Sequence, residues 1–226
     1  MNHTLAVIGY GGMGGWHCSS IAEKLPQIRV KGVWDIREEA REKAEENGLI
    51  AYASLEELLA DGEVDLVTVA TPNNFHKELV IACLRAGKNV VCEKPVAMNA
   101  AELEEMIAAA KEAGRVFSVH QNRRWDRDYR TVRLREDAEK LAWDDDIVYT
   151  AAGPTRTMAP RPAYTTAEEP LPDVKTDWSD YYRNLLDAID GKAELIVRPE
   201  QCLRVMRVID LAFQSQREGR GLSCRI

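Results

Sequence analysis

The glycine-rich run Gly9-Tyr10-Gly11-Gly12-Met13-Gly14 is the part of this sequence best suited to chemistry. It follows an apolar segment, Leu5-Ala6-Val7-Ile8, and opens a stretch of helical periodicity from Met13 to Lys24. In that context the spaced glycines have separate tasks. Gly9 permits a tight turn, Gly11 lets backbone approach a diphosphate, and Gly14 lets helix and strand pack closely. With Gly12 and Met13 they would offer unpaired N–H groups at the positive end of a helix, where phosphates bind. Without a ligand the run is only a glycine-rich turn. Asp35 closes the next apolar segment, Arg29 to Trp34. A carboxylate there accepts both ribose hydroxyls of NAD and repels a 2′-phosphate. Asp35-x-x-Glu38 also has the form of a capping box, and the two roles are compatible. Arg37 argues the other way, because a guanidinium can pair with a 2′-phosphate. NAD is the expected cofactor and NADP the alternative.

Two later loops carry further candidates. Ala70-Thr71-Pro72-Asn73-Asn74-Phe75-His76 follows the apolar run Val64 to Ala70, and Cys92-Glu93-Lys94-Pro95 follows Lys88 to Cys92. In an open parallel sheet, loops at the carboxyl ends of strands line the ligand crevice. Asn73 can bond a ribose or a carboxamide, or else cap the helix that follows. His76, in the first turn of that helix, reads equally as ligand-facing or structural. Lys94, held between a carboxylate and a proline, can grip a substrate hydroxyl or carbonyl and move its proton. On an ordinary polar loop such a lysine is merely solvated.

These loops need a scaffold, and the first 120 residues supply one. Apolar runs at 5–8, 29–34, 64–70, 88–92 and 115–119, with a short Ile50-Ala51-Tyr52, alternate with helical stretches at 13–24, 37–47, 55–60, 73–86 and 100–113. Continuous apolar strands are buried on both faces and require helices on both sides. Several helices run into a glycine, at Gly48, Gly87 and Gly114, suited to a left-handed closing residue. The pattern predicts an α/β fold with a doubly wound parallel sheet. Beyond His120 the pattern weakens. Asp126 to Trp143 is a helix, or a helix fused to a strand; Ile147 to Thr150 is a short strand; Gly153 to Lys175 is an extended connector. Two amphipathic helices close the chain, about Asp177–Asp190 and Pro199–Glu218. This second half has too few strands for a sheet of its own.

Composition narrows the class. The 226 residues carry a net charge of −7, whereas a nucleic-acid binder usually shows a basic stripe. No apolar run approaches bilayer length, and Met1 to Tyr10 lacks the charged start of a signal peptide, so the expectation is a cytoplasmic protein with no membrane partner. Five cysteines without C-x-x-C spacing suggest buried reduced thiols and no metal site.

Taken together, GYGGMG, ATPNNFH, AGKNVVCEKPVA and HQNRRWD resemble the glucose–fructose oxidoreductase, inositol dehydrogenase and rhizopine-catabolism family (Gfo/Idh/MocA). The likeness covers residues 4–130 and resumes over 147–226, where WSDYYRNLLDAIDG and PEQCLRVMRVIDLAF resemble the family's closing helices. It implies an oxidoreductase moving hydride between NAD(P) and a carbinol carbon of a sugar, cyclitol or related polyol. By the same likeness Gly9, Gly11 and Gly14 form the phosphate loop and Asp35 the ribose carboxylate. Thr71, Pro72, Asn73 and His76 fall on the nicotinamide-side loop, and Glu93 on a cofactor-ribose contact. Lys94 falls on the lysine of substrate binding and proton transfer, before a Lys94–Pro95 bond that is often cis. Gln121 and Arg124 would lie near the nicotinamide and the domain interface. Family members commonly pair their subunits, which makes a homo-oligomer an expectation too.

The likeness breaks in the second half. The family's second domain is a mostly antiparallel sheet that carries an aspartate and a histidine four residues apart. Here all four histidines (His3, His17, His76 and His120) precede residue 121. The expected organisation is a Rossmann domain over residues 1–121 and a truncated α+β remnant over 122–226. Without the sheet the crevice lacks a roof, and the closing helices lose the surface that would cover their apolar faces. Two functions follow. One is a polyol dehydrogenase in shortened form; the other is a catalytically silent NAD-binding regulatory or interaction module. A short-chain dehydrogenase is disfavoured by the lack of Tyr-x-x-x-Lys.

Overall fold

The computed structural model describes residues 3–127, 129–130, 147–150, 153–156 and 174–223. The expectations for most of 126–143 and of 157–175 lie outside the described residues. The elements run β1 (His3–Ile8), α1 (Gly12–Lys24), β2 (Ile28–Trp34), α2 (Glu38–Glu46), β3 (Ile50–Ala51), α3 (Leu55–Ala60) and β4 (Leu66–Val69). A short 3-10 turn (Asn73–Phe75) leads into α4 (His76–Arg85), then β5 (Asn89–Cys92), α5 (Ala100–Ala113) and β6 (Phe117–Val119). A second 3-10 turn (Asn122–Trp125) is followed by β7 (Ile147–Thr150), β8 (Gly153–Arg156), α6 (Ser179–Ile189) and α7 (Pro199–Glu218).

β1 to β6 form one parallel sheet in the order β3-β2-β1-β4-β5-β6. The order reverses between β1 and β4, where a doubly wound sheet opens its ligand crevice. Leu5 to Ile8 of β1, and every residue of β4 and β5, are buried, as strands covered on both faces require. Helix α1 turns Gly14, His17, Cys18 and Ile21 inward, a single face at helical spacing. Among the described residues no helix is long and apolar enough to cross a membrane.

Two compact units emerge, Met1–Asn122 with Trp178–Ile226, and Arg123–Asp177. The first unit breaks after Asn122, and the closing helices return to it rather than joining the second. They keep their apolar cover. Tyr181, Tyr182, Leu185 and Leu186 of α6 are buried, and α7 packs on α5 and β6 through Pro199, Cys202 and Met206. Polar ties hold α7 in register: the Ala100 N–H donates to the Asp210 carboxylate (2.8 Å), and Arg207 pairs with Glu104 (2.7 Å). The opposite stripe of α7, Val205, Val208, Ile209 and Phe213, stays exposed. The second unit does hold a sheet of its own, the antiparallel pair β7–β8. Residues 153–156, expected as extended connector, are its second strand: extended backbone gains a hydrogen-bonded partner by folding back on β7.

Candidate functional site

The glycine loop sits where β1 and β4 end side by side. The Gly9 N–H donates to the Trp34 carbonyl (2.8 Å), and Ala70 N–H to that of Ile8 (2.8 Å), so the two loops leave the sheet together. Gly9 has φ +90°, and a side chain there would put Cβ 2.9 Å from the Ala70 carbonyl oxygen. At Gly14 a Cβ would lie 1.9 Å from the Gly9 carbonyl oxygen. Protein packing thus demands glycine at both. Gly11 and Gly12 differ: a Cβ at either meets nothing within 4 Å. No neighbour among the described residues needs that space. It is room of the kind a diphosphate would fill. Helix α1 starts there with Gly11 as its N-cap, with no side-chain cap and no acidic residue in the first turn. Its leading N–H groups are left to a ligand, and Met13, partly exposed, stands beside them. On this evidence the loop fits a dinucleotide.

Asp35 lies at the end of β2, but its carboxylate is engaged. It accepts from the N–H groups of Tyr10 (2.8 Å) and Arg37 (2.9 Å) and from the Arg37 guanidinium through Nε and Nη2 (3.1 Å each). Burial alone would raise its pKa, yet these hydrogen bonds outweigh burial and hold it below the ordinary carboxylate value. The capping box with Glu38 does not form. Helix α2 begins at Glu38 with Arg37 as its N-cap and without a side-chain cap, because Asp35 has spent its oxygens on the turn before it. Arg37 is largely exposed, so the pair with Asp35 can open for a ribose. Beside it, a groove of about 980 Å³ runs between α1 and α2, lined in part by Tyr10, Gly11, Gly12, Lys43 and Asn47.

On the β4 loop, Thr71 and Pro72 lead into the 3-10 turn that begins with Asn73. Asn73 does not cap a helix, since α4 starts later, at His76. The Thr71 hydroxyl is buried without a hydrogen-bond partner among the described residues. His76 is buried and structural. Its Nε2 lies 2.8 Å from the Thr71 carbonyl oxygen and its Nδ1 3.0 Å from that of Pro95. The contact with Pro95 ties the β4 loop to the segment after Lys94, whereas the one with Thr71 stays within that loop. The direct cofactor contact expected of His76 is not available, because both nitrogens face backbone.

Glu93 is corrected likewise. Its side chain is buried in a cluster that sequence reasoning missed. Oε1 lies 2.9 Å from His17 Nε2 and 2.8 Å from His120 Nδ1, and Oε2 accepts from the Lys94 N–H (3.0 Å). Tyr182 of α6 places its hydroxyl 2.7 Å from His17 Nδ1. A carboxylate so enclosed is not presented to a ribose. One signal was there to read: His17 stands one helical turn after Gly14, on the packed face of α1. Lys94 itself is exposed at the end of β5, and the Lys94–Pro95 bond is cis, as the likeness implied. Gln121 follows β6 with its N–H donated to the Val119 carbonyl (2.6 Å). Arg124 lies on the 3-10 turn 122–125, within the second unit.

Charge in the cluster sets an acid limit on stability. Burial lowers the His17 pKa, so the fold holds the ring neutral while the unfolded chain protonates it near pH 6.5. The resulting stability is complete above about pH 6.5 and is lost progressively as pH falls below it. Burial would raise the Glu93 pKa, but the hydrogen bonds from His120 and His17 outweigh it and hold the group well below its ordinary range. That contribution is present above about pH 4.3 and disappears as pH falls through the lower folded value. Melting followed by circular dichroism should therefore show Tm dropping from about pH 6.5 downward, and His17→Gln should flatten the upper part of that slope. An unchanged slope in the variant would contradict the assignment.

Comparison with known proteins agrees with this geometry. Residues 3–121 match a family model described as an oxidoreductase family, NAD-binding Rossmann fold, and residues 155–224 its C-terminal alpha/beta domain. The chain is 37% identical over 137 residues to a myo-inositol 2-dehydrogenase of Thermotoga maritima, covering 60% of this chain and 40% of that protein. It is 34% identical over 129 residues to an NADP-dependent scyllo-inositol 2-dehydrogenase of Bacillus subtilis, covering 57% and 36%. Each match thus spans well under half of the curated relative. Among solved structures, an NAD-binding protein from Listeria innocua aligns with a TM-score of 0.79 and 25% identity, over 97% of this chain and 96% of that one.

Proposed function

The chain belongs to the Gfo/Idh/MocA oxidoreductase family, and from that premise we propose that it is an NAD(P)-dependent dehydrogenase acting on a sugar, cyclitol or related polyol. One observation carries the reading: uncapped amides and open space at Gly11 and Gly12, at the strand-order reversal, with Lys94 exposed at the end of β5. When bound, the nicotinamide supplies the hydride acceptor or donor. The amides opening α1 bind the diphosphate, and Asp35 receives the adenosine ribose once Arg37 swings aside. Thr71, Pro72 and Asn73 flank the nicotinamide half, with Gln121 as a further contact there. Lys94 takes the carbinol proton during oxidation and returns one during reduction. His76 and Glu93 act on that end only through the backbone segments they hold. Support for a cytoplasmic location comes from the buried thiols of Cys18, Cys83 and Cys92, none of which is in a disulfide among the described residues.

A tryptophan-fluorescence titration with NADH and NADPH tests the binding half, and a panel of polyols followed by NADH formation tests the chemistry. Arg37→Ala should weaken NADPH binding by about tenfold, the worth of one charge-assisted contact, and leave NADH binding no weaker, because Asp35 is then released for the ribose. Equal loss for both cofactors would remove Arg37 from phosphate recognition. A second reading is favoured by one observation. All four histidines are buried, so the chain exposes no imidazole to share proton transfer with Lys94. Tight NADH binding with no turnover of any polyol would support a silent NAD-binding module.

A further inference from the structure

Four buried polar side chains converge beneath Lys94 from four separate elements: His17 of α1, Glu93 after β5, His120 after β6 and Tyr182 of α6. His17 and Tyr182 are fully buried, His120 is 2% exposed and Glu93 4%. Buried groups take the partners within reach, and with Glu93 ionised and His17 neutral the separations fix the protons along this chain of bonds, while His120 Nε2 has no partner among the described residues. An ionised carboxylate only accepts. His17 therefore carries its proton on Nε2 and His120 one on Nδ1, both directed at Glu93 Oε1. In the neutral His17 ring Nδ1 is an acceptor, so the Tyr182 hydroxyl donates to it. Burial raises the Tyr182 pKa and keeps that hydroxyl protonated. The other carboxylate oxygen, Oε2, receives the backbone N–H of Lys94 itself.

We propose that Tyr182, His17 and His120 are positioning residues for Lys94, acting through a Glu93 carboxylate that they lock against the Lys94 backbone. The role of Lys94 rests on the dehydrogenase reading; the mechanical coupling does not. Removing a donor leaves Glu93 buried with a lone pair unfilled, so its side chain turns toward another partner and releases the Lys94 N–H. The backbone of Lys94 then loses its own anchor, and this strand end is held by the bonds from the Glu93 N–H to the Val69 carbonyl (2.9 Å) and from the His120 N–H to the Cys92 carbonyl (2.8 Å). Displacement of a reacting group by about 1 Å is enough to cost on the order of 10²-fold in rate. The consequence for the chain is that α6, far along the sequence, becomes part of the catalytic scaffold. It reaches Glu93 through two hydrogen bonds in series and is backed by Tyr181, whose hydroxyl donates to Ser118 Oγ (3.0 Å).

The test uses the full chain and three variants: His17→Leu, which removes the donor; His17→Gln, which returns an N–H near the Nε2 position; and Tyr182→Phe. In steady state with a polyol that the wild type oxidises, His17→Leu should lower kcat by about 10²-fold while KM and NADH affinity change little, and His17→Gln should recover most of that loss. Tyr182→Phe should lower kcat in the same selective way. A second readout does not depend on turnover: the rate at which Lys94 is reductively methylated, relative to exposed Lys111, measured by peptide mass spectrometry. That ratio should change several-fold in His17→Leu and Tyr182→Phe and return toward wild type in His17→Gln. If no polyol is oxidised, the dehydrogenase reading fails while the labelling ratio still decides the coupling. If His17→Leu does not fold, Tyr182→Phe decides alone. Unchanged labelling in the folded variants, or a loss of kcat that tracks NADH affinity and Tm, overturns the proposal.

Discussion

Lys94→Ala should lower kcat/KM for polyol oxidation by about 10²–10⁴-fold, the range that one positioned acid–base group supplies. NADH affinity should stay within about twofold, because the binding energy comes from amides opening α1 and from Asp35, not from this side chain. The structure makes the split interpretable. Lys94 is exposed, so truncating it leaves no cavity and no buried partner unsatisfied. Its backbone N–H, the part that meets Glu93, survives the substitution. Stopped-flow hydride transfer and a fluorescence titration on the same preparation would measure the two quantities. A variant that loses NADH binding in step with activity would move Lys94 from chemistry to cofactor binding.

Among the described glycines, Gly14→Ala should be the most damaging substitution. The added Cβ lands 1.9 Å from the Gly9 carbonyl oxygen, a backbone atom that cannot turn aside as a side chain could. Either α1 lifts from β1 or the Gly9 turn opens, and both displace the amides meant for the diphosphate. Overpacking of this kind costs about 1–3 kcal/mol, which for a chain of this size lowers Tm by roughly 2–12 °C. NADH affinity should fall at least about tenfold as well, since the anion site depends on aligned N–H groups. Gly15→Ala is the control. Its Cβ meets nothing within 4 Å, and replacing a helical glycine should raise stability by up to about 1 kcal/mol. If thermal melts and NADH titrations show both variants alike, the close contact at Gly14 is not what shapes the loop.

Much of the fold was legible because periodicity is a local signal. The six strands and five helices of the parallel sheet fall where the apolar runs and glycines put them, with ends shifted by only a few residues. The packing tasks of Gly9 and Gly14 were legible too, since each follows from one backbone requirement at one position. Asp35 was legible in place but not in state. Nothing in a linear string tells that Arg37, two residues on, folds back over its carboxylate. Asp35-x-x-Glu38 matched a capping pattern and formed none, because the oxygens that would cap were already bound in the turn.

The closing helices show the same division at longer range. Their amphipathic stripes predicted two helices, whose apolar faces were expected to lose their cover. Only tertiary packing decided that α6 and α7 return to the sheet domain, with Tyr182 next to a histidine that lies at the opposite end of the sequence.

Residue order alone thus determined the strand and helix succession, the glycine loop and the presence of a lysine at the end of a strand. Those depend on backbone geometry and on spacing within a few residues. Tertiary structure alone decided which buried polar groups would meet. It turned Glu93 inward, spent both nitrogens of His76 on backbone, and assembled a proton-sharing cluster from four elements. The reason is desolvation. A polar group removed from water must take whichever partner the completed packing brings within reach, and that partner is set by the fold rather than by neighbours in the chain.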